Sequence, residues 1–165
     1  ITPEMRVAVL GDGKLGLLVA QVIATKNERV VTIGRHKSKL ALLKGRGLRV
    51  EMADSFADKD FDLVIEATGS PAGIDKALKI VRPCGTIVMK TTIAGNFEID
   101  MSAVVVNEIR IIGSRCGPFP AALQLLSKGA VDVDSLITGI YPFESWRDAF
   151  RAAISGDSIK VLMNF

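Results

Sequence analysis

Three glycines near the start of the chain have the spacing of a phosphate-binding turn. Gly11, Gly13 and Gly16 fit the pattern G-x-G-x-x-G between a short apolar run and a long apolar segment of helical period. In such a turn the first glycine permits a tight bend, the second lets the backbone approach a phosphate, and the third lets the helix pack closely on the strand. The helix N-terminus then offers free N–H groups and the positive end of its dipole to a pyrophosphate. The turn therefore predicts dinucleotide binding.

The end of the second apolar run bears on which dinucleotide binds. In folds that bind NAD, an acidic residue about 20 positions after the glycine turn accepts hydrogen bonds from the adenosine ribose. Here Gly34 stands at that position, and Arg35, His36 and Lys39 follow it. A glycine removes the group that would repel a 2′-phosphate, and a guanidinium can donate two hydrogen bonds to a phosphate dianion. This pattern favours NADP(H) over NAD(H).

The same basic residues have simpler interpretations, which the sequence leaves open. Lys14 and the residues from Arg35 to Lys39 are also typical of the solvent-exposed start of a helix. Even in that case, the charge of Lys14 favours an anion nearby. Some NAD enzymes also manage without the acidic residue. His36 is the only histidine. A lone histidine is more often a surface or adenine-stacking residue than a catalyst.

The elements that must position these residues follow an alternating pattern. Short runs rich in valine and isoleucine alternate with segments of helical period, which is typical of βα units around a parallel sheet. The predicted strands are Arg6–Leu10, Arg29–Ile33, Leu48–Met52, Leu63–Ala67, Thr86–Lys90 and Arg110–Ser114. The predicted helices are Leu15–Lys26, Lys37–Lys44, Ala72–Val81 and Met101–Val106. Right-handed crossovers then predict an α/β fold, a doubly wound six-stranded Rossmann sheet in the order 3-2-1-4-5-6.

The alternation ends after the sixth predicted strand. Pro118–Lys128 has helical period, Leu136–Phe143 is extended, Trp146–Ile154 is helical, and Ile159–Met163 is one more strand. We therefore expect a Rossmann domain over residues 1–128 and a short C-terminal helix-strand tail over residues 129–165.

Length and composition narrow the class of protein. With 165 residues, 48% of them hydrophobic, the chain can bury one substantial core but is too short for two ordinary enzyme domains. The formal charge of +3 is too small to indicate a nucleic-acid partner. No apolar stretch approaches the roughly 20 residues of a membrane helix. Two cysteines do not make a disulfide framework, so we expect a reducing, cytoplasmic setting. A start at Ile1 rather than at a methionine suggests that something was removed, either a tag or a whole domain.

Four further segments carry a more specific pattern. They are Phe61-Asp-Leu-Val-Ile-Glu-Ala-Thr-Gly69, Ala77-Leu-Lys-Ile-Val-Arg-Pro-Cys-Gly-Thr-Ile-Val88, Leu136-Ile-Thr-Gly139 and Ser155-Gly-Asp-Ser-Ile-Lys-Val-Leu-Met163. Over nearly its whole length the chain resembles the cofactor-binding half of the medium-chain, zinc-dependent alcohol dehydrogenases, close to the sorbitol and threonine dehydrogenase-like members. The resemblance implies an oxidoreductase that transfers hydride between an alcohol or polyol and NAD(P).

Position by position, the resemblance implies further cofactor contacts. The backbone N–H of Leu15 would bind the pyrophosphate, and Lys160 would reach it from the last segment. Ala67 and Thr68 would lie on the adenosine side. The residues implied near the nicotinamide ribose and ring are Thr91, Ser114 and Cys116.

The family's zinc ligands, proton relay and substrate pocket lie mainly in an N-terminal domain that has no counterpart here. A catalytic zinc needs three protein ligands, and His36, Cys84 and Cys116 do not group into such a set. We therefore expect no metal site and no catalytic residue in this chain, with zinc only in the intact enzyme. The chain alone would bind the cofactor without turning over a substrate. The two cysteines are expected to be small buried thiols, although Cys116 could lie near the nicotinamide.

Two other functions stay open. One is the equivalent domain of a zinc-free quinone or enoyl reductase of the same superfamily, and the other is a regulatory dinucleotide-sensing module. Such modules usually keep the acidic residue after the second strand, and they do not explain the tail. A short-chain reductase is excluded, because its Tyr-x-x-x-Lys pair is missing: Tyr141 is followed four places on by Ser145.

The predicted sheet suggests how the protein assembles. Its sixth strand is an edge, and unpaired edges are commonly covered or paired with another subunit. We therefore expect a homodimer through residues 96–101 and the strand after them. Exposure of Phe97, Ile99 or Met101 would favour this assembly.

Overall fold

The computed structural model describes residues 1–93 and 95–165. The helices and strands alternate along most of the chain, as the apolar runs predict. The strands are β1 (Val7–Leu10), β2 (Val30–Gly34), β3 (Arg49–Met52), β4 (Phe61–Glu66), β5 (Val81–Met89), β6 (Arg110–Gly113), β7 (Ile137–Pro142) and β8 (Lys160–Asn164). The helices are α1 (Lys14–Ala24), α2 (Lys37–Gly45), α3 (Pro71–Ile80), α4 (Met101–Val106), α5 (Phe119–Ser127) and α6 (Trp146–Ile154).

The first six strands form one parallel sheet in the order β3-β2-β1-β4-β5-β6. This confirms the predicted doubly wound topology. Every residue of β1 and β2 is buried, because helices cover both faces of such a sheet and the strands between them must be apolar throughout. Strands β2 and β3 lie on one side of β1 and strands β4 to β6 lie on the other, so the strand order reverses between β1 and β4. In an open parallel sheet, ligands bind in the crevice at that point.

Alternate residues of β1 build the two halves of the core. Val7 and Val9 pack in a buried cluster with α1, whereas Ala8 and Leu10 pack in a second cluster with α3. Successive side chains of a strand point to opposite faces, so one short strand anchors a helix layer on each side. The glycine turn that follows β1 is therefore held between two packed layers.

The last part of the chain forms a separate two-stranded sheet. Strands β7 and β8 are parallel, with Tyr141 opposite Met163, and α6 packs against both. These elements agree with the predicted extended, helical and extended segments. Leu136, just before β7, is buried in the same cluster as Val7 and Val9. The division at residue 128 stays a prediction.

The prediction that the cysteines are buried thiols was wrong: Cys84 and Cys116 are both exposed. Strand β5 begins at Val81 rather than at Thr86, and its register against β4 shifts after the first pair. In this irregular stretch Cys84 has a φ of 57° and its N–H donates to the Asn107 carbonyl oxygen at 2.8 Å. The backbone thus turns the thiol outward at the amino end of the sheet.

Candidate functional site

A pocket opens at the carboxyl ends of β1, β2 and β4. Its walls are the glycine turn after β1, the end of β2 from Ile33 to Arg35, and the connection from β4 into α3, including Thr68 and Ser70. This is the point where the strand order reverses. The pocket therefore lies where a doubly wound sheet is expected to bind its ligand.

The three glycines of the turn have distinct geometries. Gly11 has a φ of 117°, and a Cβ there would lie 2.5 Å from the Ala67 carbonyl oxygen. A Cβ on Gly16 would collide with the carbonyl oxygen of Gly11. Gly13, in contrast, has a φ of −75°, and no atom of the described residues lies within 4 Å of where its Cβ would be. The first and third glycines are required by the fold, whereas the second faces open space.

The start of α1 offers free hydrogen-bond donors to that space. Gly13 is the N-cap of α1, and within the described chain no side chain caps the helix and no acidic residue occupies its first turn. The N–H groups of a first helical turn have no partner inside the helix. The backbone N–H of Leu15 is among them. An anion at this point would receive hydrogen bonds and the favourable end of the helix dipole.

A carboxylate of the glycine turn, for which the sequence predicted no role, is hydrogen-bonded to the end of β2. Asp12, in the middle of the glycine turn, is buried with 7% of its surface exposed. Its Oδ2 accepts the backbone N–H of Arg35 at 2.7 Å and that of His36 at 2.5 Å. The Nδ1 of His36 lies 3.1 Å from both carboxylate oxygens. Asp12 thus ties the turn after β1 to the turn after β2.

These contacts set the ionisation of Asp12. Burial by itself raises the pKa of the carboxyl group, but the hydrogen bonds and charge of His36 and the Arg35 N–H together hold the pKa below its ordinary value. The carboxylate is therefore the favoured form at neutral pH.

The basic residues that follow β2 do not all reach the pocket. Arg35 is exposed and lines it, and His36 is half-buried beside Asp12. The structure does not bring Lys39 to the site: Lys39 is buried, and its Nζ donates to the Gly156 carbonyl oxygen at 2.6 Å. A different cation lines the pocket, Lys76 of α3. Its position in the second turn of α3 left no signal in the sequence.

The end of β4 is held by a fully buried glutamate. Glu66 Oε1 accepts the backbone N–H of Thr68 at 2.8 Å and its hydroxyl at 2.5 Å, which places Thr68 at the pocket wall. Ala67 donates its N–H to the Leu10 carbonyl oxygen at 2.8 Å. Both predicted adenosine-side residues therefore lie next to the glycine turn.

The predicted nicotinamide-side residues continue along the same edge of the sheet. The Thr91 hydroxyl accepts the N–H of Gly69 at 2.9 Å, so the ends of β4 and β5 are joined. Ser114 follows β6, with its Oγ 3.3 Å from the Lys90 Nζ. Cys116 is exposed two residues later. Thr91, Ser114 and Cys116 all lie outside the pocket lining, but Thr91 contacts Gly69, which lies between the lining residues Thr68 and Ser70.

Two lysines line a separate cleft beside the start of α1. Lys14 of α1 and Lys160 of β8 line one shallow cleft next to Leu18, and both are exposed. The tail therefore places Lys160 in the same cleft as Lys14, beside the first turn of α1. The pyrophosphate contact that the resemblance implies for Lys160 stays a prediction.

Metal ligands and membrane spans can be assessed for residues 1–93 and 95–165. Among these, no three histidine, cysteine, aspartate or glutamate side chains cluster so that they could hold a metal ion. None of the helices they form is long and apolar enough to cross a bilayer. The described side chains therefore do not fit a zinc centre.

The comparison with known proteins agrees with this geometry. The family described as glucose dehydrogenase C-terminus matches residues 2–165. The chain belongs to this family. The resemblance to the cofactor-binding C-terminal half of the zinc-type medium-chain dehydrogenases is thereby confirmed.

Curated relatives of this dehydrogenase family act on polyols, by their names. D-arabitol-phosphate dehydrogenase from Enterococcus avium is 29% identical, with 95% of this chain and 49% of the relative covered. Sorbitol dehydrogenase from Halalkalibacterium halodurans is 26% identical, with 95% of this chain and 51% of the relative covered. The chain thus spans about half the length of the curated relatives it matches.

Solved structures of dehydrogenases share the fold. An alcohol dehydrogenase from Escherichia coli in complex with NADH superposes with a TM-score of 0.85 at 24% identity, covering 99% of this chain and 53% of that one. A zinc-binding dehydrogenase from Sinorhizobium meliloti bound to NADP superposes with a TM-score of 0.86 at 23% identity, covering 99% and 53%. At these identities the likeness shows the fold alone.

Proposed function

We propose that this chain binds a nicotinamide dinucleotide across the pocket, NADP(H) in preference to NAD(H), as the cofactor-binding half of a medium-chain alcohol or polyol dehydrogenase. The observation that carries the proposal is the glycine turn at the switch point, where Gly13 faces open space and the first turn of α1 is uncapped within the described chain. A pyrophosphate fits that space because it needs both close backbone approach and N–H donors. Family membership and the polyol dehydrogenase relatives support the same assignment.

Three groups of residues would divide the cofactor between them. Gly13 and the Leu15 N–H would hold the pyrophosphate, and Lys14 and Lys160 would neutralise part of its charge. Thr68 would lie beside the adenosine. Thr91, Ser114 and Cys116 would line the path toward the nicotinamide, along the carboxyl edge of β5 and β6.

The preference for NADP(H) rests on the end of β2. Gly34 has no side chain that could bind the ribose hydroxyls, and Arg35 is exposed at the rim of the pocket. No salt bridge within the described residues engages Arg35. Its guanidinium is thus free to donate two hydrogen bonds to a 2′-phosphate.

The reaction of the intact enzyme is hydride transfer from a carbinol carbon. The bound cofactor supplies the hydride acceptor, and the alcohol loses a hydride and a proton to give a carbonyl product, the reduced cofactor and a proton. Zinc and the substrate pocket would belong to the other half of the enzyme, since the described side chains here do not fit a zinc site. The role of this chain is to bind and orient the dinucleotide.

Titration calorimetry with NADP and NAD tests the proposal. NADP should bind more tightly than NAD. Arg35→Ala should weaken NADP binding by roughly ten- to hundredfold, because hydrogen bonds to a charged group contribute about 1.5–3 kcal/mol. The affinity of this variant for NAD should stay nearly unchanged. Arg151→Ala, an exposed site on α6 outside the pocket lining, is the matched control. Equal or weaker binding of NADP would overturn the preference, and no binding of either would overturn the site.

We also propose a homodimer through the edge of the sheet. Strand β6 is the last strand of the sheet, Met101 is 56% exposed, and Phe97 and Ile99 are half-buried against the core. Sedimentation velocity should give a dimer that Ile112→Lys, at an exposed position of β6, converts to a monomer. A monomeric wild-type chain would reject this assembly.

A further inference from the structure

Asp12 and the empty side-chain position of Gly34 share one space. A Cβ built on Gly34 would lie 2.5 Å from the Asp12 Cβ and 2.5 Å from its Oδ2. Carbon atoms in contact are normally about 3.5–4.0 Å apart. A side chain at position 34 therefore cannot coexist with the present position of Asp12. The carboxylate that NAD-binding folds place at the end of the second strand is replaced here by one from the neighbouring turn.

The hydrogen bonds of the Asp12 carboxylate are made to the protein itself. Its Oδ2 accepts two backbone N–H groups, and both of its oxygens lie 3.1 Å from the His36 ring nitrogen. Only 10% of the side chain is exposed. The carboxylate is therefore occupied with the protein itself, and little of it is available to a ribose hydroxyl.

The residues that Asp12 holds are those that would meet the 2′-phosphate. Arg35 and His36 form the link between β2 and α2. His36 is the N-cap of α2, and among the described residues its side chain makes no capping hydrogen bond to the first turn of the helix. The two N–H groups that Asp12 accepts fix the backbone from which the guanidinium and the imidazole project.

We propose that Asp12 is a positioning residue for cofactor selectivity, and that Asp12 and Gly34 act as a coupled pair, so that loss of Asp12 alone weakens the preference for NADP and the preference reverses toward NAD only when both are replaced. This inference rests on the proposed function, because it takes the pocket rim at Arg35 to be the 2′-phosphate site. A strand-end carboxylate at position 34 can bind the ribose only after the Asp12 side chain is removed.

The test is a double-mutant cycle read by NADP and NAD affinities and by melting temperature. Asp12→Asn keeps an acceptor oxygen for the two N–H groups and should retain the wild-type affinity for NADP within about twofold. Asp12→Ala frees the Arg35 turn and should lower NADP affinity about tenfold, the loss of one net hydrogen bond, with NAD affinity little changed. A fall in the ratio of NADP affinity to NAD affinity indicates a positioning role for Asp12, because a general loss of structure would lower both affinities.

The second arm of the cycle introduces the strand-end acid. Gly34→Asp alone should melt lower and bind neither cofactor well, whereas the double variant Asp12→Ala/Gly34→Asp should recover the melting temperature and prefer NAD by about tenfold. Gly45→Asp, at the end of α2 with no atom of the described chain within 4 Å of its Cβ position, is the matched control for adding an acid.

Three results would overturn the inference. They are full NAD binding and normal melting of Gly34→Asp alone, an unchanged NADP-to-NAD ratio in Asp12→Ala, and a double variant no better than the single one. If instead the wild-type chain shows no preference for NADP, the proposed function loses its cofactor assignment. The melting and NAD-binding comparison of Gly34→Asp with the double variant still decides whether the two positions are coupled.

Discussion

Replacing each glycine of the turn by alanine separates ligand binding from folding. At Gly13 the methyl group meets nothing within 4 Å in the described chain, and the φ of −75° and ψ of 172° suit alanine. Alanine is a poorer N-cap than glycine and costs about 1 kcal/mol of stability. Alanine also lowers the conformational entropy of the unfolded chain, which stabilises the fold by about 0.4–1 kcal/mol. The free energy of unfolding should therefore change by less than about 1 kcal/mol.

At Gly16 the same change should act on folding. Helix propensity favours alanine over glycine by up to about 1 kcal/mol. However, the new methyl group would collide with the backbone of Gly11, and overpacking of a rigid site costs about 1–3 kcal/mol or more. Because backbone atoms cannot rotate away as a side chain can, the collision outweighs the propensity. Gly16→Ala should lower the free energy of unfolding by about 1–2 kcal/mol or more.

Gly13→Ala, the variant whose stability should stay nearly normal, is the one that should lose cofactor affinity. The Gly13 methyl group would stand where the pyrophosphate approaches, so NADP affinity should fall at least about tenfold, or about 1.4 kcal/mol, in a chain of normal stability. Urea unfolding and titration calorimetry on the same samples measure both quantities, with Gly45→Ala as the control. Wild-type affinity in Gly13→Ala would refute the placement of the pyrophosphate, and an unchanged stability of Gly16→Ala would refute the packing argument.

Three further outcomes are expected. Because the pKa of Asp12 is lowered in the folded chain, the ionised carboxylate stabilises the fold fully above its unfolded pKa of about 4, and this stabilisation is lost as the pH falls through the lowered pKa. Urea unfolding should therefore show that wild type is more stable than Asp12→Asn by a margin that shrinks on acidification. A margin that stays constant with pH would contradict this. Lys39→Met should cost about 1–2 kcal/mol of stability by removing the bond to Gly156 while calorimetry finds NADP affinity unchanged; a large affinity loss would return Lys39 to the site. Gly73→Ala should lower the melting temperature, since its methyl group would collide with Glu66 Oε1, and normal melting would reject that packing.

Much of the fold could be predicted because its signals are local. The strands of a parallel sheet covered on both faces are continuous apolar runs, and β1 and β2 are such runs. The handedness of βα crossovers then leaves few possible orders of the strands. The boundaries of β5 were predicted less well, because its irregular start depends on pairing with β4 rather than on its own residues.

The glycine turn was predictable because one segment contains the whole signal. Gly11, Gly13 and Gly16 lie within a single turn, so their spacing is enough to predict its tight geometry at the pocket, and its role as a phosphate site stays a proposal. Lys39 was assigned to the site by its charge and its closeness to Arg35 in the chain. Its real partner, Gly156, lies 117 residues away, and charge patterns give no information about such a contact.

By itself, the sequence determined the order of the sheet, the glycine turn and the absence of an acid at the end of β2. Only the tertiary structure decided what fills the place of that acid. Asp12 and His36 are 24 residues apart in the chain and belong to different turns. They meet because β1 and β2 pair in register, Leu10 opposite Ile33, which sets their two carboxyl ends side by side. Neither segment alone shows this contact in its sequence. The Asp12 side chain fits only because Gly34 leaves space for it, and that space is recognised only once Asp12 is beside it.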